Sequence, residues 1–253
     1  AYLHVIVKAA LADAVRKGLL TRNPADSATP PAATPRATHT TWTAPQLATF
    51  LDHTAGGRHG PLWAFLALTG CRRGEALGLR WSDVDSDTRR VVIAATIATV
   101  AGRSTSGTPK SGHGRTVAID EGLLAQLHAH RAAQTRTRMA APVWHDLDLV
   151  FCRPDGLPWH PDSISRAFRA AATAAGLPPI RLHDLRHSWA TLALQAGIHP
   201  KVVQERLGHS TVTITLGVYT HVLPSMHDQA ASTIAALIDE RKPSGVTALQ
   251  TRA

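Results

Sequence analysis

The chain has 253 residues, 44% of them apolar, enough to fill the core of one large domain or two modest ones, which excludes disorder as the main state. Its 27 Lys and Arg against 18 Asp and Glu leave a formal charge of +9, and such an excess points to a polyanion, nucleic acid before an anionic membrane. The most apolar stretch, Val91 to Ala101, is diluted by Thr96 and Thr99 and falls far short of the roughly 20 residues of a spanning helix, so no membrane is expected.

From Leu3 the apolar positions Leu3, Ile6, Val7, Ala10, Leu11, Ala14, Val15 and Leu19 follow the i, i+3, i+4 spacing of an amphipathic helix. The pattern is already running at Ala1, so this helix is expected to be the end of something longer. Pro24, Pro30, Pro31 and Pro35 then remove donors and fix φ, so residues 23–42 read as a linker. Thr43 and Gln46 form a capping box with Pro45 in the first turn, which opens a new domain.

That domain predicts helices over Ala44–His53 and Leu62–Leu68, a break at Gly70, and a further helix over Gly74–Leu79 ending near Trp81. Val91 to Ile97 is rich in β-branched residues and Arg115–Ile119 alternates after a Gly/Ser/Pro-rich connector, which predicts a hairpin with a long tip. Helical patterns resume at Glu121–Ala133, Pro161–Ala175, Asp184–Ala196 and Pro200–Leu207, with Gly197 and Gly208 as the closing glycines, and Ser225–Ile238 is the last helix.

Chemistry concentrates in residues 182 to 222. His183 and Arg186 stand three apart at a helix start, where free N–H groups favour an anion, so the pair reads as a phosphate seat. Gly208 and His209 follow a second helix end, and Tyr219 stands ten residues later. Upstream, Arg72 follows a Gly-containing turn that fixes a guanidinium for two parallel bonds to phosphoryl oxygens.

Thr69-Gly70-Cys71-Arg72 with Glu75 and Leu79-Arg80-Trp81, Pro109-Lys110-Ser111, His183-Asp184-Leu185-Arg186-His187, Leu207-Gly208-His209-Ser210 and Val218-Tyr219-Thr220-His221 together resemble the tyrosine recombinase (phage-type integrase) family. The resemblance runs over roughly residues 43 to 240. It implies a mainly α catalytic domain with a small antiparallel β-hairpin or sheet, the fold type of DNA breaking-rejoining enzymes. It also implies site-specific cleavage and rejoining of DNA through a 3′-phosphotyrosine, for integration or excision of a mobile element.

Carried over by position, Arg72 and Arg186 would grip the scissile phosphate, Lys110 would protonate the leaving oxygen, His183 and His209 would assist, and Tyr219 would be the nucleophile. Fixed guanidiniums meet the developing charge without a metal, and a tyrosine ester conserves the bond energy, so no cofactor is expected. The resemblance further implies a homotetramer on a double-stranded recombination site, with accessory DNA-bending or directionality proteins as further partners. On this reading residues 1–22 are the last helix of a core-binding domain, 43–241 the catalytic domain and 242–253 a flexible tail. Ile234, Leu237 and Ile238 recur at helical spacing and would dock on a neighbouring protomer.

Two other readings stand beside it. Ala190–Leu207 with its Ala-Gly-Ile turn looks like a helix-turn-helix, which would bind DNA without cutting it. His183 and His187 stand i, i+4, as in a zinc hydrolase, although Asp184 replaces the expected glutamate and Arg186 repels a dication.

Other residues receive blander expectations. Arg73 reads as a phosphate contact, Glu75 as the group that orients an arginine, and His187 as a structural hydrogen-bonding residue. His53, His128, His130 and His145 read as surface histidines, and Cys71 as a small buried thiol. Asp83, Asp85 and Asp87 start like a calcium loop that Thr88 and Ala94 then break. The acid-free segments Arg103–Arg115 and Arg131–Arg138 read as a DNA-facing surface. Cys71 and Cys152 are too few for a disulfide framework, and with no signal peptide they fit reduced thiols in a bacterial-type, nucleoid-associated cytoplasmic protein.

Overall fold

The computed structural model describes residues 2–29, 40–100, 103–107, 114–211 and 235. The chain divides into two compact units, residues 1–39 and 40–253. In the first, helix α1 (Tyr2–Arg16) forms where the apolar periodicity places it, and Leu3, Ile6 and Val7 stay exposed. Pro24–Asp26 makes a single 3-10 turn, because Asn23 accepts from the Ala25 N–H at 3.0 Å and donates to the Lys8 carbonyl at 3.0 Å.

The second unit opens with α2 (Ala44–Thr54), started by the expected box: Thr43 N–H donates to Gln46 Oε1 at 2.9 Å, and Thr43 Oγ1 accepts from Gln46 N–H. Next come α3 (Gly60–Thr69), α4 (Arg73–Leu77), the strands β1 (Val84–Asp85), β2 (Arg90–Ile93), β3 (Thr96–Val100), β4 (Arg103–Gly107) and β5 (Arg115–Ala118). Helices α5 (Glu121–Ala140), α6 (Pro161–Ala174), α7 (Asp184–Gln195) and α8 (Pro200–Leu207) follow. The fold is thus mainly helical with small antiparallel sheets, as expected. Of the expected helix Ser225–Ile238, only Ala235 lies among the described residues.

Helix α3 is apolar on every side, with Leu62, Trp63, Phe65 and Leu66 all buried, so it forms the central rod of the core. Trp42, Phe50, Trp63 and Phe168 close around one end of it with ring centroids 5.0 to 6.4 Å apart. A smaller cluster of Ala190, Ala193, Leu194, Val203 and Leu207 joins α7 to α8.

The expected single hairpin is two nested ones. Strand β2 pairs antiparallel with β1 and β5, in a register that sets Val91 opposite Val117 and Ile93 opposite Arg115. Between β2 and β5 the chain makes a separate ladder, β3 with β4. Val91 to Ile97 is therefore interrupted at Ala94–Ala95, and the chain beyond the break packs on α4. A Cβ on Gly74 would sit 2.6 Å from the Ile97 carbonyl oxygen, and one on Gly78 would sit 3.0 Å from the Thr96 nitrogen. These glycines let β3 pass directly against the α4 backbone, while β3 pairs with β4 in its own ladder.

Helix α5 runs seven residues beyond the expected Ala133 to Ala140. Gln134 anchors this extension by bonding to Trp81 Nε1 at 2.7 Å and to the Leu149 carbonyl at 3.0 Å. Among the described residues, no helix is long and apolar enough to cross a membrane.

Candidate active site

Two helix C-termini build the site. Helix α3 ends on Gly70, whose φ of +67° is the left-handed cap, and α8 ends on Gly208 at φ +65°. Unsatisfied carbonyls and the helix dipoles give both ends partial negative charge, which favours cations. Four arginines answer it.

Arg186 donates to the Gly70 carbonyl at 2.9 Å and the Leu207 carbonyl at 2.6 Å. Arg72 reaches the Gly208 carbonyl at 3.1 Å, Arg115 the Arg206 carbonyl at 2.7 Å, and Arg206 the Leu68 carbonyl at 3.2 Å while stacking over Trp189. Each arginine lies far in sequence from at least one element it binds.

One carboxylate lies among them. Glu75, on α4, is buried and accepts from the Arg72 N–H at 2.9 Å and from the Arg72 guanidinium at 2.7 Å. It also accepts both Nη atoms of Arg115, at 3.0 and 2.6 Å. Burial alone would push its carboxyl up, but the bonds and charge of Arg115 and the bonds from Arg72 outweigh that and hold it at about 2. Glu75 therefore orients arginines as expected, and two of them.

The expected residues meet as follows. Arg72, His183, Arg186 and His209 come together around the two helix ends, while Lys110 and Tyr219 lie outside the described residues. Arg186 is 3% exposed, and burial, with Arg72 beside it, lowers its pKa to about 10, so it stays charged at neutral pH. His183 and His209 are both brought down to about 4, first by desolvation and next by the guanidinium of Arg186. Both imidazoles are neutral at pH 7. The Gln204 side chain holds the His209 carbonyl at 2.6 Å, fixing the turn after α8.

Four buried or half-buried guanidiniums against one carboxylate leave this place strongly positive in a low-dielectric wall. It is a seat for an anion with several oxygens. The same field that lowers the histidines opposes a dication at His183 and His187, whose rings meet edge-on with centroids 5.2 Å apart. Helices α7 and α8 do join through Gly197 at φ +78°, as a helix-turn-helix would. Arg186 at the start of this pair is anchored on the Gly70 carbonyl, so the pair also forms a wall of the arginine cluster.

Several blander expectations change. Arg73 bonds to the Pro161 carbonyl at 3.0 Å and Ser165 Oγ at 2.6 Å, so it ties α4 to α6 rather than reaching out for a phosphate. Arg115 is sealed against Glu75 and so does not belong to an open basic strip, whereas Arg131 stacks over Trp81 and stays exposed. His130 is half-buried, stacked on Phe151 and bonded to the Val150 carbonyl at 2.7 Å. Asp85 accepts from Thr88 N–H at 2.9 Å in a plain turn, and among the described residues no cluster of three metal-ligating side chains occurs. Sequence reasoning missed Arg115 and Arg206 as parts of the cluster. Their only local signals are strand alternation and a helix end.

Known proteins resemble this chain in sequence and in fold. The phage integrase family profile matches residues 42–226, and the chain belongs to that family. It is 32% identical over 180 residues to a tyrosine recombinase XerC-like protein of Caldanaerobacter subterraneus subsp. tengcongensis, covering 66% of this chain and 46% of that protein. It is 31% identical over 172 residues to the ICEBs1 integrase of Bacillus subtilis, covering 68% and 47%. The chain thus spans about half the length of these curated relatives. Among solved structures, the Tn1549 transposon integrase in complex with transposon right end DNA superposes with a TM-score of 0.70 at 22% identity, covering 88% of this chain and 76% of that one. XerA recombinase superposes at 0.62 and 23% identity, covering 90% and 74%. At these identities the match shows the fold.

Proposed function

We propose that the chain is the catalytic part of a site-specific DNA recombinase, which cleaves and rejoins strands through a 3′-phosphotyrosine during integration or excision of a mobile element. The observation that carries this reading is the pair of guanidiniums, Arg72 and Arg186, fixed on the carbonyls of two helix ends beside neutral His183 and His209. Family membership and relatives named integrase support it.

In the proposed step the Tyr219 oxygen attacks the scissile phosphorus. A phosphorus–oxygen bond to tyrosine forms as the bond to the 5′-oxygen breaks. Neutral His183 takes the tyrosine proton, and Lys110 gives a proton to the leaving 5′-oxygen. Arg72 and Arg186 meet the charge on the non-bridging oxygens, and His209 adds a hydrogen bond through a ring N–H that it carries in its neutral form. Attack of a 5′-hydroxyl on the phosphotyrosine reverses the bonds and rejoins a strand. No step calls for a metal or a nucleotide cofactor.

The partner on this reading is a double-stranded recombination site, bound by a homotetramer with residues 234–238 docking between protomers, and with accessory DNA-bending or directionality proteins. Residues 1–22 close a core-binding domain, residues 23–42 link it to the catalytic domain at 43–241, residues 242–253 form the tail, and the setting is a nucleoid-associated cytoplasmic protein. The test uses a nicked suicide duplex carrying the site that the protein itself selects from a random-sequence library. A denaturation-resistant adduct is expected, insensitive to chelator, mapping to the peptide with Tyr219 and abolished by Tyr219→Phe. An adduct that persists in Tyr219→Phe, or that needs a divalent metal, overturns the mechanism. Sequence-specific binding with no adduct returns the helix-turn-helix reading.

A further inference from the structure

We infer that Arg115 is a positioning residue for strand cleavage, acting on Arg72 through the shared Glu75 carboxylate. The inference rests on the recombinase reading and adds to it a residue that this reading does not use. Arg115 leads strand β5, opposite Ile93 of β2, at the inner end of the connector that carries Lys110. Its side chain is 11% exposed and so presents no face to a substrate.

All three donor nitrogens of Arg115 are spent inside the protein. Nε donates to the Arg206 carbonyl at 2.7 Å, which pins the guanidinium to the last turn of α8. Nη1 and Nη2 take Glu75 Oε1 and Oε2 at 3.0 and 2.6 Å, a bidentate fork that fixes the plane of the carboxylate. The same Oε1 accepts Arg72 Nη1 at 2.7 Å and the same Oε2 accepts the Arg72 backbone N–H at 2.9 Å. A carboxylate held from one side only would swing about its last torsion, and the Arg72 guanidinium would swing with it. With Arg115 in place the carboxylate has one orientation, so Arg72 has one.

Gly208 shows how close the contact is. A Cβ there would lie 3.2 Å from Arg115 Cδ and Nη1, so the turn leading to His209 packs directly on the Arg115 side chain. Arg115 thereby joins β5, α4 and α8 at one point behind the arginine seat.

Arg115→Lys keeps a positive charge for Glu75 and loses the fork. The full chain is assayed by single-turnover adduct formation at saturating suicide duplex, with DNA affinity and thermal unfolding measured in parallel. The expected result is a rate about 100-fold lower, as small misplacements of catalytic groups produce, with affinity within about threefold and the fold retained. Combined with Glu75→Gln, Arg115→Lys should add less than about threefold to the loss from Glu75→Gln alone, because both changes release the same guanidinium.

A wild-type rate in Arg115→Lys overturns the inference, and so do multiplicative losses in the double variant. Parallel loss of affinity or of the fold assigns Arg115 a purely structural role. Should Glu75→Gln fail to fold, the split between rate and affinity in Arg115→Lys decides alone. Absence of any adduct from the unaltered chain is a separate result, and it removes the recombinase reading itself.

Discussion

Arg72 and Arg186 do the same proposed work but are held by different physics. Arg72 is 29% exposed at its side chain and is neutralised by a true counter-charge, the buried carboxylate of Glu75. Arg186 is nearly sealed and has no carboxylate bonded to it in the described contacts. Carbonyls at the ends of α3 and α8 hold it instead. An ion pair tolerates small shifts of its partners because Coulomb attraction falls slowly with distance, whereas carbonyl bonds demand the position of the backbone itself. Arg72 is thus positioned by a side-chain network, and Arg186 by the packing of three helices.

Changes at each anchor can break this contrast. Glu75→Ala strands Arg115 and Arg72 without their counter-ion in a buried place, and is expected to cost about 3–5 kcal/mol in urea unfolding. A cost under about 1 kcal/mol would show that the carbonyls alone suffice on both sides.

Arg72→Lys and Arg186→Lys keep charge but lose the planar fork. Each should lower adduct formation by about 10²–10³, with DNA affinity largely kept. Arg186→Lys should also lower the melting temperature, because an ammonium cannot span Gly70 and Leu207. Equal losses of affinity and rate would assign both residues to binding.

Gly70→Ala sharpens the Arg186 side. Its φ of +67° disfavours a side chain, and the new Cβ would meet Leu207 Cδ2 at 2.8 Å and the Trp189 ring at 3.1 Å. Gly176→Ala, at φ +68° with nothing within 4 Å, carries the backbone strain alone. Strain alone is expected to cost about 1 kcal/mol, and Gly70→Ala about 2–3 kcal/mol, compared by chemical denaturation. Equal costs would mean that α8 yields easily.

The smallest expected effect is on pH dependence near neutrality. His183 and His209, near 4 when folded and near 6.5 when unfolded, bind more protons in the unfolded chain between those values, so their contribution is lost as pH falls from about 6.5 to about 4. Glu75 also has its pKa lowered by folding, and its contribution is lost lower, from about 4.5 to about 2. Melting temperature followed downward from pH 7 should therefore fall mainly between about pH 6.5 and 4, where two histidines differ, and less steeply below that, where Glu75 alone differs. A flat profile between pH 6.5 and 4.5 would mean that the histidines are not enclosed by the arginines.

The amino-acid sequence by itself determined the features whose causes are local. The Thr43–Gln46 box, the glycines that end α3 and α8, and the helical spacing of α2, α6, α7 and α8 each depend on residues within one or two turns. Motif spacing also singled out Arg72, His183, Arg186 and His209, which the fold then gathers. Tertiary structure alone decided the rest. The break at Ala94–Ala95 falls on the two weakest strand formers of Val91–Ile97, but the close passage of β3 over Gly74 and Gly78 belongs to the packed chain. The Arg115–Glu75 pair spans 40 residues and the Arg115–Arg206 bond 91, so no periodicity records them. Arg73 and His130 left their expected surface roles for the same reason: burial and partners are properties of the packed chain, and a residue type states only what it is able to bind.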